Sequence, residues 1–246
     1  MSDGGDHVLT ANYGGGSLIV HKLTHRGSIL KETDFKDYNA SGSSHIHTIR
    51  HIPGTPYYIA ADLGLDRLYV YTFDRQTSQL MPQQTVDVPQ NSGPRHIAFH
   101  PHGNVLYVVS EFRSTILVYA YDDAMTNMHL LQELSTLPRD FRQENYGADI
   151  HVTPSGKYVY VSNRGHHSIT GYKVLANGKL AIIGYTSTQG KWPRNFTITP
   201  DEKYLIVANE QSNHIVVMKI LHDGHLQYTQ HQFNLNKPVC LQVMPV

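Results

Sequence analysis

The sequence is poor in the features that mark several whole classes of protein. It has one cysteine, Cys240, so no internal disulfide framework is possible. Acidic and basic residues balance at 20 each, for a formal net charge of +0. A general nucleic-acid binder needs a basic surface, so nucleic acid is not expected as a partner. No apolar stretch approaches the roughly 18 residues of a membrane-spanning helix, so no membrane is expected either. The start, Met1-Ser-Asp-Gly-Gly-Asp-His7, has no basic residue and no apolar run, which predicts no secretory signal and a cytoplasmic protein. No amphipathic helix is evident. Hydrophobic residues make up 40% and charged residues 16%, a balance that builds a large core and excludes a disordered chain.

What is present is a repeat. The stretch Gly93-Pro-Arg-His-Ile-Ala-Phe-His-Pro-His-Gly-Asn-Val-Leu-Tyr-Val-Val-Ser-Glu111 reads as strand, tight turn, strand. Its turn proline, Pro101, has counterparts at Pro53, Pro154 and Pro200, spaced by 48, 53 and 46 residues. That spacing is near the period of a β-propeller blade. Nine residues after each proline stands a short polar residue: Asp62, Ser110, Asn163 and Asn209. A third apolar strand follows in each unit, at 68–71, 116–119, 169–172 and 215–218. A more variable fourth follows at 80–86, 130–134, 180–185 and 226–233. Four short strands per unit with turns between predict an all-β protein, a β-propeller of about five blades.

The ends complement each other. The first unit, at 7–12, 17–20 and 29–35, lacks its first strand, whereas residues 238–245 supply a first strand and nothing more. Pro238 matches Pro94, and Pro245 matches Pro101. The expectation is a ring closed by the C-terminal strand pairing with the N-terminal blade, which would protect both edges.

Antiparallel pairing sets the start of each first strand beside the end of the second. Start positions hold His47, Arg95, Ala148 and Arg194; end positions hold Tyr13, Leu63, Glu111, Arg164 and Glu210. Reflection about each turn puts Arg95 opposite Glu111, Arg194 opposite Glu210, His47 opposite Leu63 and Ala148 opposite Arg164. These residues should gather at one mouth of the central channel, as a basic ring with carboxylates suited to a small anionic ligand. The first two pairs also read as cross-strand ion pairs that satisfy each other. Arg164 has no carboxylate opposite it. His45 and His47 resemble a metal pair, but no further Asp, Glu or His of ligand spacing surrounds them, so no metal is expected. His166 and His167 read as solvated loop residues, and Cys240 as buried mid-strand.

Asn12-Tyr-Gly-Gly-Gly-Ser17, Asp62-Leu-Gly-Leu-Asp-Arg67, Gly93-Pro-Arg-His96, Ser162-Asn-Arg-Gly165 and Pro193-Arg-Asn-Phe196 closely resemble the propeller lactonase family. That family includes the cycloisomerase-type 6-phosphogluconolactonases and the carboxymuconate lactonizing enzymes. The resemblance runs from about Val8 to the C-terminus. It implies one lactonase-like propeller domain over residues 1–246, with about two N-terminal blades of the usual seven absent. Either a genuine five-bladed ring or a fragment of a seven-bladed protein fits. It also implies an enzyme, a carboxylic-ester hydrolase acting on 6-phosphogluconolactone in the pentose phosphate pathway, without metal or organic cofactor. The family's catalytic histidine, two arginines and glutamate fall on His47, Arg95, Arg164 and Glu111. His45, His96, Arg194, Glu210 and Tyr13 are the expected substrate-binding neighbours. Either His47 or Glu111 could serve as general base. Histidine has the better ordinary pKa near neutrality, whereas an arginine opposite the glutamate would hold it ionised. Alternatives are lactone-forming chemistry on a carboxymuconate and a non-catalytic or truncated scaffold. A scaffold has no need of all four charged or titratable residues together.

Overall fold

The computed structural model describes residues 1, 2 and 4–244, so Pro245 lies outside the described residues. Those residues form five antiparallel sheets and no α-helix. Sheet one holds β1 (His7–Asn12), β2 (Ser17–Leu23) and β3 (Ile29–Asp37). Sheet two holds β4 (Ile46–His51), β5 (Tyr57–Asp62), β6 (Arg67–Asp74) and β7 (Gln79–Asp87). Sheet three holds β8 (Pro94–Phe99), β9 (Val105–Ser110), β10 (Thr115–Tyr121) and β11 (Met128–Ser135). Sheet four holds β12 (Tyr146–Val152), β13 (Tyr158–Arg164), β14 (Ser168–Val174) and β15 (Leu180–Ser187). Sheet five holds β16 (Pro193–Ile198), β17 (Tyr204–Asn209), β18 (His214–Ile220) and β19 (Leu226–Asn234). Each sheet is an up-and-down meander in chain order, the blade pattern of a β-propeller.

The chain divides into two compact units. One is Met1–Arg95 with Tyr121–His129, and the other is His96–Ala120 with Leu130–Val246. In the first, Leu18 and Val20 of sheet one pack on Ile46, Tyr58, Ala60, Tyr69 and Tyr71 of sheet two. In the second, alternation along β13 joins three sheets. Val159 and Val161 pack with Tyr107, Val109 and Val118 of sheet three, while Tyr160 packs with Phe196, Leu205 and Val207 of sheet five. Strand side chains alternate faces, so a strand buried on both sides reads as an unbroken apolar run. The outermost strands have one wet face, which is why the sequence there is more variable. Tyrosine hydroxyls add a polar clasp between successive sheets. Tyr107 donates to the Gly178 carbonyl at 3.2 Å, and Tyr160 to the Gly224 carbonyl at 2.8 Å.

The short polar residues found by spacing end or nearly end the second strands, and all four are fully buried. Asp62 accepts from the Ser44 hydroxyl and from the amides of His45, Gly64 and Leu65 at 2.6–3.1 Å. Asn163 bonds Thr136, Asn145 and Thr170. Asp62 and Asn163 thus hold the loops at their strand ends.

The expected closure does not form. Among the described residues, 238–244 carry no strand and sheet one has three strands. The Leu241 amide donates instead to the Asn195 side chain of β16, at 2.6 Å, which sets this segment along the flank of sheet five. Cys240 is exposed there, not buried. Among the described residues no helix is long and apolar enough to cross a membrane, which says nothing of strands.

Candidate active site

The starts of β4, β12 and β16 are irregular, and that irregularity positions several of the candidate residues. In sheet two Ile46 pairs with Asp62 and Thr48 with Ala61, so His47 is an inserted bulge residue. In sheet five Pro193 pairs with Asn209 and Asn195 with Ala208, so Arg194 is inserted. In sheet four Ala148 and Asp149 lie between the pairs Gly147–Asn163 and Ile150–Val161. A bulge sets two residues against one and re-aims a side chain. It also defeats reflection about the turn. The residue opposite Arg164 is Tyr146, not Ala148. Glu210 does not end β17 but opens a short 3-10 turn, Glu210–Ser212.

In the first unit the structure brings Tyr13, His45 and His47 together. The Tyr13 ring stacks on His45 at 4.7 Å and meets His47 edge-on at 5.5 Å. His45 Nδ1 lies 3.0 Å from the Tyr13 carbonyl, and its amide is held by buried Asp62. Arg95 stands at the start of β8 with 2% of its surface exposed.

In the second unit Glu111, Arg164, Arg194 and Glu210 form two ion pairs. Arg164 Nη2 lies 2.9 Å from Glu111 Oε2 and donates to the Gly147 carbonyl at 3.1 Å. Arg164 therefore has a carboxylate partner, contrary to the reflection argument. It comes from the neighbouring sheet, across a contact that sequence spacing within one hairpin does not show. Gly147 permits that contact: a Cβ there would lie 2.5 Å from the Ser110 carbonyl, and its amide donates to the Glu111 carbonyl at 3.0 Å. Burial pulls the Arg164 guanidinium below the ordinary arginine range, against the pull of Glu111 in the other direction. Arg194 Nη1 lies 3.8 Å from Glu210 Oε2, a looser and wetter pair. A shallow hollow lined by Phe112, Arg113, Gln143 and Glu144 shares Tyr146 with this cluster.

His96 is held by a residue the sequence reading missed. Its Nδ1 lies 2.7 Å from Asp149 Oδ1. Asp149 is 3% exposed, and its other oxygen meets His151 at 3.1 Å and accepts from Asn195 at 2.6 Å and the Phe196 amide at 3.2 Å. Burial alone would raise its pKa; the two histidines outweigh that and hold the carboxyl well below the usual range. Asp149 thus ties three first strands together. The signal was available: the position after the strand-start residue reads His96, Asp149 and Asn195, so a carboxylate stands between two side chains able to donate to it. His166 and His167 are half-buried rather than solvated, and burial lowers the pKa of each. Among the described residues no group of three or more His, Cys, Asp or Glu could hold a metal ion.

Successive four-stranded meanders, with arginine–carboxylate ion pairs where first strands begin and second strands end, define the class of all-β proteins built from β-propeller blades. Residues 1–243 match the model of the lactonase, 7-bladed beta-propeller family, and the chain belongs to that family. It is 34% identical to a 6-phosphogluconolactonase of Bacillus subtilis over 203 residues, covering 80% of this chain and 58% of that relative. A crystal structure of a protein from Lactobacillus plantarum superposes with a TM-score of 0.92 at 29% identity, covering 98% of this chain and 72% of that one. A periplasmic gluconolactonase of Pseudomonas aeruginosa gives 0.92 at 26%, covering 98% and 71%. The chain therefore spans less than two thirds of the length of the curated relatives it matches.

Proposed function

We propose that this chain carries the active face of a lactonase that hydrolyses 6-phosphogluconolactone. The observation that carries this reading is the buried Arg164–Glu111 pair beside the Arg194–Glu210 pair. Guanidinium groups match phosphate and carboxylate oxygens bidentately, which suits a phosphorylated lactone. Family membership and the similarity to a 6-phosphogluconolactonase support the same substrate class. A phosphorylated lactone does not cross a bilayer unaided, which favours a cytoplasmic setting.

In this reading His47 is the general base. It takes a proton from water, whose oxygen attacks the lactone carbonyl carbon. Arg164 holds the phosphate, and Arg95 stabilises the developing oxyanion. The ring C–O ester bond then breaks, and the proton passes to the leaving alkoxide, giving a hydroxy acid. Glu111 orients an arginine or a substrate hydroxyl. Tyr13, His45, His96, Arg194 and Glu210 are the substrate-binding candidates of this reading.

The test is 6-phosphogluconolactone hydrolysis by the purified chain, corrected for spontaneous opening, with Arg164→Ala beside it. Turnover lost in the variant is the expected result. Turnover equal to background would overturn the reading.

A further inference from the structure

The chain has one tryptophan, Trp192, and the hydrolytic scheme above leaves it without a role. It sits against the guanidinium of Arg164, whose Cζ lies 5.6 Å from the indole centroid and 5.9 Å from the Tyr146 ring. The two rings are 5.9 Å apart and inclined at 53°. A guanidinium this close to an aromatic ring is attracted to its π-face, most strongly when water is excluded, and Arg164 is 5% exposed. Its Nε is buried and makes no hydrogen bond among the described residues.

Trp192 is also held where a bulky residue does not readily go. Its φ is +64°, in the left-handed region. Both of its backbone polar groups are pinned: the amide to His167 Nδ1 at 3.2 Å, and the carbonyl by the Glu210 amide at 3.0 Å. His167 Nδ1 also accepts from the Gly165 amide, in the turn just after Arg164. So the same imidazole nitrogen fixes the turn that carries the arginine and the residue that covers it. Non-glycine residues in this conformation persist where the surroundings over-determine them, and they concentrate at functional sites.

We propose that Trp192 is a positioning residue for anion binding: with Tyr146 it fixes the plane of the Arg164 guanidinium, so that this arginine meets the phosphate of the lactone already oriented. The inference rests on the reading of the site as a lactonase. It concerns the anionic group alone and not the reacting carbonyl.

The effect to be read is selective. Trp192→Leu keeps bulk and removes the π-face. It should raise KM for 6-phosphogluconolactone about tenfold while kcat changes less than about threefold. Trp192→Phe keeps a π-face and should stay within about threefold in both. For uncharged glucono-δ-lactone, neither variant should shift KM. Because the tryptophan is single, its emission reports binding without turnover: 6-phosphogluconate should change it in the unsubstituted chain and fail to do so in Arg164→Gln. Equal KM shifts for both lactones, or equal behaviour of Leu and Phe, would overturn the positioning role, as would an emission that ignores 6-phosphogluconate. An Arg164-dependent emission change without hydrolysis of either lactone would instead overturn the lactonase reading and leave the role of Trp192 standing. If Trp192→Leu does not fold, the emission titration of the unsubstituted chain still decides.

Discussion

The start of sheet two and the starts of sheets four and five use one backbone device for different chemistry. Each first strand bulges near its beginning. In the first unit the bulge presents His47 beside Tyr13 and His45, held by ring contacts and backbone groups. In the second, the bulge of β16 sets Arg194 3.8 Å from Glu210 and that of β12 carries Asp149, which bonds His96 at 2.7 Å. The comparison separates two tasks. The bulge decides where a side chain goes, and the residue in it decides what is done there. Within the second unit the two arginine–carboxylate pairs differ in depth, since Arg164 is almost covered and Arg194 is 38% exposed on its side chain.

The largest expected effect breaks the comparison on the histidine side. His47→Ala should lower kcat for lactone hydrolysis by about 10²- to 10⁴-fold if the imidazole is the base. A fall of less than threefold would remove it from that role. Next is the deep ion pair. Glu111→Ala leaves a buried guanidinium without its carboxylate and should cost about 3 kcal/mol in urea unfolding. An unchanged midpoint would mean that solvent reaches Arg164. Asp149 sharpens the comparison through pH. Its carboxyl is ionised in the folded protein well below the usual range, against about 3.9 in an unfolded chain. Its contribution is therefore complete above about pH 4 and is lost as pH falls through the folded value. Asp149→Asn should cost about 2 kcal/mol at neutral pH, and the gap to the unsubstituted chain should narrow below pH 4. A gap constant with pH would contradict the depressed pKa. The smallest effect belongs to the shallow pair: Arg194→Ala should change stability by less than about 1 kcal/mol, measured in the same urea titration.

Much of this fold was legible in the chain. Turn prolines and the polar residues nine positions on located the second strands to within a residue, because tight turns constrain backbone chemistry locally. The candidate residues were legible by position for the same reason. Their partners were not. Register at the strand starts depends on a bulge, and one inserted residue changes which side chain lies opposite. The carboxylate partner of Arg164 and the three strands tied by Asp149 come from adjacent sheets, where sequence separation carries no rule. Cys240 read as buried because it was placed mid-strand, yet the segment forms no strand and leaves it exposed.

The tyrosine clasps between sheets have a consequence in time. Tyr107 bonds a carbonyl 71 residues further along the chain, and Tyr160 one 64 residues further. A ribosome delivers residues at about 5–20 per second, so the first acceptor emerges roughly 4 to 14 seconds after its donor. Over that interval the newest sheet presents an apolar face and an unanswered hydroxyl, and each hairpin that follows closes the one before it. Synthesis from the N-terminus thus sets a schedule for assembly, with the most recently made sheet the one in need of protection.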